Sequence, residues 1–90
     1  MERLYFCTRA DLNTGRQAAQ LIHAMDEWAA WRGPHHGVVV VYEVADEQSL
    51  LNAIPEKGDT LLWREPDLNY QATAWATNAG RQELPLLGKT

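Results

Sequence analysis

The sequence predicts a small α/β domain with a four-stranded mixed sheet and helices packed on it, in the order β-α-β-α-β-β. Three observations point there. Two extended runs, "RLYFCTR" and "VVVVYEV", are separated by a stretch whose apolar residues recur at three and four. A crossover of that length joins parallel strands by a right-handed connection. Two later runs, "TLLWRE" and "ATAWAT", are joined only by "PDLNYQ", short enough for an antiparallel pair. Ninety residues suit a single domain, 1–90, that buries somewhat more than about 60% of its unfolded surface.

The first strand is expected over Arg3 to Arg9, where aromatic residues and a thiol favour a pleated surface. "ADLNTG" breaks it. Thr14 with Gln17 three residues on matches a capping box, so the first helix should run from about Gly15 to Trp31. Its expected core face is Ala18, Leu21, Ile22, Met25 and Ala29. "RGPHHG" stops it, because Pro and Gly do not continue a helix. Val38 to Val44 is a β-branched run apolar on both faces, as in a central strand covered on both sides. Asp46 is the expected N-cap of a short helix through "EQSLLNAI", with Leu50, Leu51 and Ile54 inward and Pro55 and Gly58 ending it. The tail "GRQELPLLGKT" either folds back through Leu84, Leu86 and Leu87 or frays.

Composition narrows the function classes. Apolar residues make up 46%, as in an ordinary globular core, and no run of 18 apolar residues suggests a membrane span. "MERLYFCTRADL" carries an acid at position 2 and too short an apolar stretch for a secretory signal. Cys7 is the single cysteine and can make no internal disulfide, so a cytoplasmic protein is expected. A net charge of −4 argues against indiscriminate nucleic-acid binding. The charges are unevenly spread, however. Arg3, Arg9, Arg16 and Arg32 lie in the first third, whereas Glu43 to Asp67 holds seven acids against Lys57 and Arg64.

The first helix carries a second stripe, Arg16, Gln20, His23 and Glu27, stacked at helical spacing. It reads either as a solvated face or as one wall of a site. Arg16 in the first turn opposes the helix dipole unless an anion arrives, and free N–H groups beside a guanidinium make a phosphate or carboxylate site. Gly15 would let a ligand approach the backbone. "WREPD" places Glu65 and Asp67 at the end of the third strand, where ligands sit in open α/β sheets. It reads as a polar turn or as a carboxylate partner for Arg16 or His23. His23, His35 and His36 lack metal-site spacing, and no metal or other cofactor is expected. Four tryptophans suit core packing, a subunit contact of a homodimer, or one stacking surface for a base. Cys7 reads as a buried inert thiol.

"RADL", followed by "GRQAAQLIHA", resembles the signature of the peptidyl-tRNA hydrolase 2 family. In that family an arginine and Asp-Leu end the first strand, and Gly-Lys-x-Ala-Ala-Gln-x-x-His-Ala opens the helix. The resemblance spans roughly Leu4 to Thr77. "LWREPD" followed by "ATAWAT" looks like a divergent, short member, without the Asp-Ala-Gly-Arg-Thr loop. The family hydrolyses the ester joining a peptide to the 3′ ribose of tRNA. The resemblance implies that Arg16 stands where the family has its functional lysine, that Gln20 and His23 match directly, that Glu65 falls near the family's aspartate, and that Thr73 matches a threonine opening the last strand. Arg16, His23, Glu65 and Thr73 are then the catalytic candidates. Arg9, Asp11, Gly15, Gln20 and Asp67 are the substrate-binding candidates, and the partner is the 3′ end of peptidyl-tRNA. Arginine keeps the charge but stays protonated, so Arg16 would bind an oxyanion or phosphate, not act as a base. Two other readings share this fold: a non-catalytic RNA- or protein-binding module, and an esterase or amidase for a smaller substrate.

Overall fold

The computed structural model describes residues 2–89. Its elements are β1 (Arg3–Arg9), α1 (Thr14–Arg32), β2 (Val38–Val44), α2 (Glu47–Asn52), β3 (Thr60–Glu65), a 3₁₀ turn (Pro66–Leu68) and β4 (Gln71–Thr77). The strands form one mixed sheet in the order β2-β1-β4-β3. β1 runs parallel to β2, with Arg3 opposite Val38, and antiparallel to β4, which is antiparallel to β3. No helix is long and apolar enough to cross a membrane.

The first crossover joins neighbours, as expected. The second does not, because it carries the chain from one edge of the sheet to the other. β1 and β4 take the centre because both faces of each are buried. On one face Leu4, Phe6, Ala74 and Ala76 meet Ala24 and Trp28 of α1. On the other Tyr5, Cys7, Ala72 and Trp75 meet Tyr42 and Leu50. The alanines of β4 let helices approach closely on both sides. The Trp75 indole N–H donates to the Leu50 carbonyl at 3.0 Å, so a large ring is buried with its polar atom satisfied.

The valine strand is therefore an edge strand, not the central one its unbroken apolar run suggests. α1 lies over β4, β3 and β1, leaving one face of β2 half open. The tail folds back on part of the edge. The Glu43 N–H donates to Pro85 O and the Leu87 N–H donates to Val41 O, and Leu84 joins the core beneath α2.

Two expectations for α1 also need correction. Its N-cap is Asn13, whose side-chain oxygen accepts the Arg16 N–H at 2.9 Å. Gln17 does not reach back to Thr14 but turns inward. The buried stripe is Gln17, Gln20, Ala24 and Trp28, while Ala18 and Ile22 are exposed. The helix is thus rotated from the face its apolar residues suggest, because two glutamines find buried hydrogen-bond partners. α2 has the expected cap: Asp46 accepts the Ser49 N–H at 2.9 Å. Asn13→Ala is expected to cost about 1 kcal/mol, read as a lower urea midpoint with unchanged slope.

Candidate active site

Gln20 organises a polar cluster between α1 and β3. Its carbonyl oxygen accepts the Trp63 indole N–H at 2.9 Å and the Thr73 hydroxyl at 2.8 Å. Its amide donates to Glu65 Oε1 at 3.2 Å. Two donors on one oxygen leave the carboxamide a single sensible orientation, so Glu65 meets the NH₂ end.

Each partner arrives by a different backbone device. Leu61, Trp63 and Glu65 alternate along β3 onto the α1 face. Thr73 reaches that face through an irregularity in β4. Trp63 pairs with Ala74 and Arg64 with Ala72, so Thr73 is the extra residue of a β-bulge. The bulge turns Thr73 to the same side as Ala74. Thr8 holds it there by donating its hydroxyl to the Thr73 carbonyl at 2.9 Å. Thr73 is fully buried, so it positions Gln20 and is not open to a ligand.

His23, one turn beyond Gln20, lies flat on Trp63, with ring centroids 4.8 Å apart and 21° between planes. Its Nε2 stands 3.9 Å from Glu65 Oε1, and its side chain is 48% exposed against 11% for Glu65. Glu65 Oε2 also accepts the Asp67 N–H at 3.1 Å, at the start of the 3₁₀ turn. That bond lowers the Glu65 carboxyl most. Burial opposes it, and the Gln20 amide, His23 and Arg16 add to the lowering. Arg16 is exposed on the first turn of α1, on the same side of the sheet as Glu65 and close enough to bias its charge. Asn13 takes the N–H groups of Arg16 and Gln17, leaving those of Thr14 and Gly15 without partners among the described residues. A Cβ on Gly15 would meet only Asn13 Oδ1 at 3.6 Å, an ordinary contact, so no tight packing demands glycine there.

Gln20, His23, Glu65 and Thr73 thus form one side-chain cluster with Trp63 between α1 and β3, with Arg16 and the Asp67 N–H at its edge. Arg9 and Asp11 do not join them. Arg9 follows Tyr5 and Cys7 onto the α2 face, where its guanidinium grips Asp11 with two bonds of 2.9 and 2.8 Å and donates to Gln71 and Ala72 O. It is a structural clamp between β1 and β4, on the opposite face of the sheet from Gln20 and Glu65. Glu27, the last member of the expected polar stripe, is exposed. His35 donates its Nε2–H to Val38 O at 3.0 Å and turns Nδ1 toward Glu2 at 3.9 Å, so it belongs to the loop before β2. Among the described residues no three His, Cys, Asp or Glu side chains converge to hold a metal ion. Cys7 is buried, and burial, then Glu43, pushes its thiol up to about 12, so it supplies no thiolate.

Trp63 is the member of this cluster that sequence reasoning left unassigned. Its signal was its place two residues before Glu65 in a strand, which puts both on one face. The depressed Glu65 carboxyl has a consequence for stability. Its folded-state pKa lies below the unfolded one, so it contributes stability that is present above the ordinary glutamate range, near about pH 4.3, and is lost as pH falls through the folded value. Asp11 and Asp46 are lowered too, by the Arg9 hydrogen bonds and the Ser49 N–H respectively. Urea midpoints should therefore drop between neutral and acid pH, and Glu65→Gln should shrink that drop. Compared with known proteins, the chain matches no family model and no curated protein.

Proposed function

We propose that this cluster hydrolyses the ester of peptidyl-tRNA, or of an N-blocked aminoacyl-tRNA, releasing the acyl group and tRNA. The observation that carries the reading is a half-exposed imidazole held flat on Trp63 beside an ionised, doubly oriented carboxylate, with the Arg16 charge near enough to act on it. The resemblance of "GRQAAQLIHA" to the peptidyl-tRNA hydrolase 2 signature supports the substrate.

In this reading His23 takes a proton from water as the water oxygen attacks the ester carbonyl. Glu65, one bridging water or a small ring movement away, stabilises the imidazolium. The tetrahedral oxyanion lies against the Arg16 guanidinium and the free N–H groups of the first turn. Collapse of the intermediate expels the ribose 3′ oxygen, which recovers the proton from His23. Gln20, Trp63 and Thr73 hold the carboxylate and the ring in place without touching the substrate. Residues of the chain supply each step without a cofactor. The net charge of −4 fits contact confined to the acylated 3′ end. An activity on peptidyl-tRNA belongs to translation in the cytoplasm.

A labelled N-acetyl-aminoacyl-tRNA tests this directly. Wild type should release the acyl group, and Arg16→Ala should lower release by about 10²- to 10³-fold, the usual effect of losing one oxyanion donor. Wild type that binds tRNA but releases nothing would favour the second reading, a binding module. Arg16 in place of a lysine favours that reading, since a guanidinium binds phosphate but cannot act as a base.

A further inference from the structure

We propose that the opposite flank of α1, facing β2, is a docking groove for an amphipathic helix of another protein that carries a basic residue at one end. Four strands about 4.8 Å apart span about 14 Å between outer axes, more than one helix about 10 Å across can cover. α1 lies over β4, β3 and β1, so the strip above β2 lacks a helix. Val39 and Val41 of β2, Phe6 below, and Leu21, Ile22 and Met25 of α1 line an open cavity of about 250 Å³ there. Its walls are almost wholly apolar, yet Ile22 is 68% and Val39 45% exposed. An apolar strip of this kind on a soluble surface marks an interaction site.

A second cavity of about 360 Å³ lies beside it, lined by Thr14, Gln17, Ala18, Leu21, Glu43, Leu87 and Gly88. Leu21 lines both cavities, so they sit end to end along the seam between α1 and β2. Val39, Val41 and Glu43 alternate along β2 onto this face, which sets a carboxylate about 13 Å from Val39. Glu43 accepts the Gln17 amide at 2.6 Å and has no Lys, Arg or His partner among the described residues. The seam is thus apolar for most of its length and anionic at one end. A helix of about ten residues, apolar at three- and four-residue spacing and basic at the Glu43 end, matches both features.

Two alternatives fit less well. Strand addition is blocked along half of the β2 edge, because the tail already pairs with Val41 and Glu43. A second copy pairing two-fold through α1 about Ile22 would bring Asp26 toward Glu43, like charge against like.

The test uses the full chain and a fluorescein-labelled, helix-forming 14-residue peptide with a leucine stripe and two terminal lysines. A matched peptide carries glutamates for the lysines. Anisotropy should show saturable binding of the lysine peptide, about threefold or more tighter than the glutamate peptide, the scale of an exposed ion pair. Glu43→Lys should reverse that order, and Val39→Asp should weaken binding about tenfold or more. Val39 is exposed, and thermal melts by circular dichroism verify that this variant is folded. Absence of saturable binding, equal affinity for both peptides, or indifference to Val39→Asp would overturn the proposal. So would sedimentation showing a dimer that Ile22→Asp dissolves, or binding to phosphatidylglycerol vesicles in place of the peptide.

Discussion

His23→Ala is expected to reduce acyl release by about 10²- to 10⁴-fold, the usual contribution of a positioned general base, while the fold survives. The side chain is half exposed and its packing partner is the single face of Trp63. Losing that stack costs about 0.5–1.5 kcal/mol, small against a domain stability of about 5–15 kcal/mol. His23→Phe separates the two roles. A phenyl ring keeps the stack but has no nitrogen, so stability should return while release stays low. The pH profile gives a second readout. Glu65 is held below the ordinary carboxylate range, so it should remain ionised, and release should not fall on its account, until pH drops below about 4.3. Wild-type release in either variant would remove the imidazole from the chemistry.

Gln20→Leu is expected to destabilise the protein by about 2–5 kcal/mol and to abolish release as well. Leucine fills the space but accepts nothing. The Trp63 indole N–H and the buried Thr73 hydroxyl would both lose their acceptor, and Glu65 would lose a donor. Each orphaned buried group costs about 1–3 kcal/mol. Thr73→Val removes one donor and leaves Gln20 still bonded to Trp63, so it should cost nearer about 1 kcal/mol. The order of urea midpoints, wild type above Thr73→Val above Gln20→Leu, is the check. If the two variants were equally stable, Gln20 would not be the hub its bonds indicate. Thr73→Val also tests the role of the bulge. A residue that acts by positioning should change turnover modestly and leave the pH profile in place.

Much of this architecture is legible along the chain, element by element. β1, β2 and β3 begin and end where their apolar runs do, and Asp46 caps α2 as its side chain suggests. What fails is legible only in three dimensions. Gln17 and Gln20 belong to the buried stripe of α1, because Glu43, Arg9 O, Trp63, Thr73 and Glu65 satisfy them. Periodicity that counts only apolar residues therefore turns the helix toward Ala18 and Ile22. The position of β2 depends on strand order, which a local pattern does not contain. Of the residues in and around the Gln20 cluster, Arg16, His23 and Glu65 stand out by type and spacing. Thr73 needs a bulge that shifts the parity of β4, and Arg9 departs because Asp11 and Gln71 claim its guanidinium.

The placement of β1 between β2 and β4 bears on how the chain acquires its shape during synthesis. β1 is made first, but one of its two hydrogen-bonding edges waits for β4, some 65 residues later, as the Thr8–Thr73 bond illustrates. Until then β1, α1 and β2 can associate only as a half-sheet, with the faces meant for Ala74, Trp75 and Ala76 open. Closing so long a loop comes before its contacts can stabilise anything. The emerging protein should therefore stay protease-sensitive until residues through Thr77 have cleared the ribosome, and become resistant in one late step. Chains arrested before and after that point would show when the sheet closes.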